Sequence, residues 1–240
     1  MRLSAYSYTN QGGREHNEDS IRAVLDGGRG VFALADGLGG HACGEVASRL
    51  AVDILCGEGL DTVPGQAQLL ERFQAANARI LEQQKQPGQE DMKTTAVALS
   101  LDGSAAAWAH IGDSRLYHFS GGALVHVTPD HSVTYRKYLG GEISYMDIYH
   151  DDDRSSLLRV LGKASCSPEG GQGEAAPGDA FLLCSDGFWE FVYREEMLTD
   201  WLKAETPEQW AQFMLLRHIR RTPPGNDNFS LITIFAEDET

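Results

Sequence analysis

Three apolar runs of this chain stop on an aspartate beside a glycine: "VFALADG" (31–37), "AWAHIGD" (107–113) and "FLLCSDG" (181–187). A fourth aspartate, Asp227 in "GNDN", stands just before the closing run "NFSLITIFA", and Glu18-Asp19 in "HNED" stand just ahead of "SIRAVLD". Taken singly, each is ordinary turn chemistry, because Asp caps its own turn and Gly takes backbone angles that other residues avoid. Taken together they constrain far more. Strand ends carry residues distant in sequence to one edge of a sheet, so Asp36, Asp113, Asp186, Asp227 and Glu18 are expected at one rim. Carboxylates crowded into a poorly solvated rim repel one another, and bound cations remove that cost. No His or Cys occurs among these positions, which makes the set unsuited to zinc. Oxygen ligands beside glycines suit Mg²⁺ or Mn²⁺. Gly37 would let the backbone approach closely enough for its own carbonyl to serve as a ligand.

The remaining segments place these residues in a fold. "RLSAYSYTN" alternates like a strand, and "SIRAVLD" and "GVFALAD" form a plausible hairpin through Gly27 to Gly30. "EVASRLAVDIL" and "AQLLERFQAANARILEQQK" carry apolar residues at helical spacing, and Pro87-Gly88 stops the second. "TTAVALSLDG", "SAAAWAHIG" and "SRLYHFSGGALVHVT" read as strand-like, separated by Asp-Gly, Gly-Asp and Gly-Gly. Residues 130–165, with Asp151-Asp152-Asp153 in the middle, are polar and irregular and read as a solvated flap outside the core. "DAFLLCSD" reads as a buried strand, "REEMLTDWLKA" and "PEQWAQFMLLRHIRR" as amphipathic helices, and "NFSLITIFA" as a last buried strand. Strands, two helices, strands, two helices and a strand argue for an α+β fold with antiparallel sheets covered by helix pairs. No linker or repeat divides residues 1–240, so one domain is expected.

Composition narrows the partners. With 42% hydrophobic residues the chain can bury a sizeable core. A net charge of −15 disfavours nucleic acid and anionic membrane, whose phosphates need clustered Lys and Arg. The four cysteines (Cys43, Cys56, Cys166, Cys184) form no C-x-x-C pair, and Cys184 sits in an apolar run as a buried thiol. No leader or membrane span is read in the sequence, so a reducing, cytoplasmic setting and a monomer are expected.

The pieces, in this order, resemble the metal-dependent PP2C-type serine/threonine phosphatases, bacterial branch. The carrying stretches are "REHNEDS", "ALADGLGGHACGEVAS", "TTAVAL", "AHIGDSRLYHF", "VTPDHS", "LLRVLG", "LLCSDGFWEFV" and "GNDNFSLITI", spread over essentially the whole chain. The resemblance implies a central antiparallel β-sandwich flanked by two pairs of α-helices, with Mn²⁺ or Mg²⁺ at one end. It implies that Asp36 bridges two ions, that Gly37 offers its carbonyl, that Asp186 and Asp227 hold the first ion and that Glu18 helps hold the second. Asp19 would support metal-bound waters, Asp113 with Asp186 would form a weaker third site, and Arg14 would grip the substrate phosphate. The implied reaction is hydrolysis of phosphoserine or phosphothreonine in proteins, opposing a cognate kinase. Two positions depart from the family's animal members: Leu38 stands where a proton-donating histidine is found, and Glu190 where another metal aspartate is found. His16 and His41 are read as structural or surface histidines. A phosphatase of the same fold acting on a small phosphorylated molecule, or a non-catalytic binding module, are the alternatives.

Overall fold

The computed structural model describes residues 1–39 and 43–238. The strands are β1 Arg2–Asn10, β2 Asp19–Asp26, β3 Arg29–Leu38, β4 Lys93–Thr94, β5 Ala96–Asp102, β6 Ala105–Ile111, β7 Arg115–Ser120, β8 Ala123–Val127, β9 Glu169–Glu174, β10 Ala180–Cys184 and β11 Phe229–Glu237. The helices are α1 Cys43–Cys56, α2 Gln66–Gln83, α3 Val133–Leu139, α4 Asp186–Trp189, α5 Arg194–Trp201 and α6 Pro207–Arg221, with a 3₁₀ turn at Tyr145–Tyr149. One sheet runs β1-β11-β10-β7-β8 and the other β2-β3-β5-β6-β9, with β4 paired to the end of β3. Every strand pairing is antiparallel.

The period-2 geometry of the strands builds three cores. In β3, Val31, Ala33 and Ala35 face α1 and α2, while Phe32 and Leu34 face the other sheet. In β10, Ala180, Leu182 and Cys184 face outward to the helix side, and Phe181 and Leu183 face inward. Central strands covered on both faces read as unbroken apolar runs, which is why "VFALA" and "AFLLC" show no alternation. Burying each of the larger ones, Val31, Phe32, Leu34, Phe181, Leu182 and Leu183, contributes about 1.5–3 kcal/mol. The outcome is a double sheet with α1 and α2 on one outer face and α5 and α6 on the other. The expected α+β sandwich with two helix pairs is therefore what the chain forms. Helix α6 starts where its sequence directs: the Thr206 hydroxyl accepts the Gln209 N–H (3.1 Å), and Pro207 takes the first turn.

Residues 130–165 differ from the expectation of a solvated flap. They contain α3 and the 3₁₀ turn, and they bury Ile148, Tyr149, Val160 and Leu161. Ile148 and Tyr149 join Phe188, Trp189 and Val192 in the helix-side core of the first sheet. Within the Asp151 to Asp153 run, Asp151 and Asp153 both pair with Lys137. Strand β9, "EGGQGE", was not anticipated either; it exists through its pairing along β6 from Ala105↔Glu174 to His110↔Glu169.

Candidate metal centre

Antiparallel pairing of β2 and β3 sets Asp19 opposite Asp36 at one end of the second sheet. Asp36 is anchored through its backbone: its carbonyl accepts from Thr95 N–H (2.9 Å) and the Thr94 hydroxyl (2.7 Å). Asp186 opens α4 directly after β10, Asp113 follows β6 by two residues, and Asp227 precedes β11 by two. The loop of Glu18 is pinned by Asn228, which accepts the Glu18 N–H (2.8 Å) and donates to the carbonyls of Gln11 (2.8 Å) and His16 (2.9 Å).

Arg14, Glu18, Asp36, Gly37, Asp113, Asp186 and Asp227 line one cleft of about 220 Å³. Asp19 is not in its lining. It is 6% exposed, and its Oδ2 accepts the Ser185 hydroxyl (2.8 Å). Arg14 donates to Asp227 Oδ2 (2.9 Å) at the open side. Leu38 also lines the cleft, so an apolar side chain stands where a proton donor is absent. Glu190 lies in an adjoining cleft, paired with Arg154 (3.2 Å). His41 lies outside the described residues, and the exposed His16 reaches the network through its backbone carbonyl.

The electrostatics are those of a repelling cluster. Burial pushes the Asp36 carboxyl well above the ordinary carboxylate range, and the charges of Asp186, Asp19 and Asp113 push it further. The two carboxyls act on each other: Asp186 raises Asp36, whereas Asp36 favours the charged form of Asp186. Asp113 is raised by burial and then by Asp186 and Asp130, and Asp186 by burial and then by Asp227. Asp19 is pushed up to about 7, by burial first. Glu18 is raised by burial, against the Gly44 N–H at the start of α1, which favours its charge.

Three observations fit divalent cations here. Among the described residues, Oδ1 of Asp19 and Oδ1 of Asp186 are buried without a hydrogen-bond partner, a costly condition that a cation or its water shell relieves. A Cβ on Gly37 would meet the Gly44 carbonyl oxygen at 2.2 Å and the Glu18 carbonyl oxygen at 2.7 Å, so only glycine lets these backbones converge. The converging donors are all oxygens. Asp36, Asp186, Asp227, Glu18 and the Gly37 carbonyl are the groups that would hold two ions, with Asp113 and Asp186 for a third.

These shifts predict a pH dependence for the chelated protein. Asp19 binds its proton more tightly when folded, with its value near 7 against an ordinary 3.8, so folding takes up protons between those values. Stability therefore falls as pH rises across that window and levels off above it. Melting curves in EDTA at pH 5 and pH 7.5 should show the lower midpoint at pH 7.5, and saturating Mn²⁺ should raise that midpoint. Equal midpoints in EDTA would contradict the buried cluster.

Sequence reasoning missed the groups that aim the carboxylates: Ser185, Asn228, Thr95 and Ser114, whose hydroxyl meets that of Thr95 (2.7 Å). Asn228, Ser185 and Ser114 lay beside motif aspartates and were open to suspicion; Thr95 was not.

Fold and cleft together define an α-β-β-α layered protein in which oxygen groups from several strand ends converge on one cleft, a donor set suited to hard divalent cations. A family profile described as Protein phosphatase 2C matches residues 9–216. This chain belongs to that family. It is 37% identical over 228 residues to the serine/threonine protein phosphatase PstP of Mycobacterium tuberculosis, covering 94% of this chain and 43% of that one. The present chain thus spans less than half the length of that relative. It is 29% identical over 231 residues to the serine/threonine phosphatase stp of Listeria monocytogenes, covering 92% of this chain and 90% of that one. The solved catalytic domain of PstP in complex with two manganese ions superimposes with a TM-score of 0.86 at 31% identity, covering 99% of both chains.

Proposed function

We propose that this chain is a metal-dependent serine/threonine protein phosphatase that releases phosphate from phosphoserine and phosphothreonine in protein substrates. The observation that carries the reading is the convergence of Asp36, Asp113, Asp186 and Asp227 on one cleft with Arg14 at its mouth. Bound Mn²⁺ or Mg²⁺ would neutralise charge on the phosphate oxygens and acidify a water toward neutral pH.

The chain's own residues do the rest. Arg14, 56% exposed at its side chain, offers a planar fork that can grip a phosphate through two N–H groups. Ser185 and Asn228 hold Asp19 and the Glu18 loop against the repulsion that would spread them. Asp19, beside the cleft, would support metal-bound water; its buried Oδ1, without a partner in the protein, supports that role. No cysteine lines the cleft among the described residues, so nothing in it resembles a thiol nucleophile.

Names of the relatives support a bacterial phosphoprotein as substrate and hence an opposing kinase. The free thiols of Cys56, Cys166 and Cys184 support a reducing, cytoplasmic setting, where we take the enzyme to act as a monomer; among the described residues no helix is long and apolar enough to cross a membrane.

The test is phosphate release from phosphoserine and phosphothreonine peptides. It should require Mn²⁺ or Mg²⁺ and stop in EDTA; full turnover in chelator would overturn the reading. Equal or better turnover of small phosphorylated metabolites would redirect it to that substrate class. Arg14→Ala should raise KM for phosphopeptide about tenfold, the loss of one charge-assisted contact, while Mn²⁺ binding persists. Unchanged kinetics would remove Arg14 from the site.

A further inference from the structure

The "VTPDHS" stretch lies outside the carboxylate cleft, yet two of its residues hold the loop that carries Asp113. His131 grips Gly112 at both polar groups. Its ring Nδ1 accepts the Gly112 N–H (3.1 Å), and its backbone N–H donates to the Gly112 carbonyl (2.9 Å). Gly112 has φ +99°, and a Cβ there would meet the Thr95 Cβ at 2.6 Å. The turn into Asp113 is thus an unusual backbone shape held by an external clamp. Asp113 is fixed from its other side as well: its carbonyl accepts the Trp189 indole N–H (2.9 Å). The Arg115 guanidinium lies 3.5 Å above that indole and makes a two-pronged pair with Asp130 (2.8 and 2.6 Å). The His131 carbonyl also accepts the Leu158 N–H (2.8 Å), next to Leu157 in the cleft wall.

We propose that His131 is a positioning residue for Asp113: by clamping Gly112 it fixes where Asp113 presents its carboxyl and so sets the affinity of the cation that Asp113 helps to hold. The inference rests on the metal-centre reading above. His131 does not itself read as a metal ligand, although ligand atoms of His110, His131 and Glu169 lie within 4.8 Å of one another. Nδ1 of His131 is taken by the Gly112 N–H, so a neutral ring carries its proton on Nε2, which faces Glu169 Oε1 at 3.5 Å. Arg159 already pairs with Glu169 and lies 3.3 Å from the ring, where it would repel a further cation. The group is a hydrogen-bonded brace.

Removing a hydrogen-bonding group behind a metal ligand typically weakens metal affinity 10–100-fold. The experiment is Mn²⁺ titration of full-length wild type, His131→Ala and His131→Asn, followed by electron paramagnetic resonance and calorimetry, with melting curves in EDTA. Wild type should show two stronger sites and one weaker. His131→Ala should weaken the weaker site about tenfold or more and leave the other two. His131→Asn should restore it, since the Asn Oδ1 can replace Nδ1 as acceptor for the Gly112 N–H. A weak site unchanged in His131→Ala overturns the proposal. So does a uniform loss at all sites that Asn does not rescue, which would mark His131 as merely structural. Wild type that binds no Mn²⁺ fails the metal-centre reading itself, a result distinguishable from both. Should His131→Ala not fold, a folded His131→Asn with an impaired weak site overturns the proposal, and one with wild-type affinity sustains it.

Discussion

Asp36→Asn is expected to cut phosphate release by about a thousandfold or more, the scale of several kcal/mol of lost charge stabilisation, while leaving the fold intact. Asn is nearly the same shape, and the backbone bonds from Thr94 and Thr95 to the residue 36 carbonyl do not depend on the side chain. What changes is the charge that Asp36 would present to bound cations in the cleft. The same substitution should stabilise the chelated protein. Burial and the charges of Asp186, Asp19 and Asp113 all oppose ionisation of Asp36, so removing the acid relieves a cost that the empty site otherwise bears. Melting in EDTA should rise by several degrees, and the gain brought by Mn²⁺ should shrink. An Asp36→Asn protein that turns over phosphopeptide normally, or melts lower in EDTA than wild type, would contradict this account. Loss of function combined with gain of stability separates a site residue from a packing residue.

The second large effect is on stability. Arg115 and Asp130 are each 2% exposed at their side chains and bonded two-pronged, with Arg115 stacked on Trp189. Arg115→Ala strands the Asp130 carboxylate in the interior, which typically costs about 3–5 kcal/mol. At about 2–4 °C per kcal/mol for a chain of this size, the midpoint should drop by about 6–20 °C. The double replacement Arg115→Met with Asp130→Leu should recover much of that loss, because no charge is left unpaired. It should not recover Mn²⁺ affinity at the weaker site, since the Trp189–Asp113 contact loses the guanidinium that overlies it. Differential scanning calorimetry on the three proteins measures the first effect; a single mutant as stable as wild type would refute it.

These two cases also show what a sequence can and cannot disclose. Asp36 was visible because an apolar run ended on it beside glycine, and sheet geometry then dictated a shared rim. Helix α6 was visible from its amphipathic spacing and strand β11 from its near-continuous apolar run. Strand β9 was not, because "EGGQGE" carries no apolar side chain, and its pairing comes from the neighbouring β6. Residues 130–165 misled for the opposite reason. Their tyrosines and charges look solvated, whereas Tyr149 buries its ring against Trp189 and Tyr193. Within the site, the strand-end pattern put Glu18, Asp36, Asp113, Asp186 and Asp227 at one rim, and these line the cleft; what holds Asp19 next to them was not legible. Asp19 sits beside it, held by Ser185, a residue 166 positions away. Only folding brings that hydroxyl to that carboxyl.

The measurement that bears most directly on the account is a crystal structure grown with Mn²⁺, with the ions located by anomalous scattering. The account predicts two strong peaks in the cleft, both in contact with Asp36, one shared with Asp186 and Asp227, and a weaker third peak beside Asp113. Peaks elsewhere on the molecule, or a cleft without manganese at millimolar supply, would contradict it.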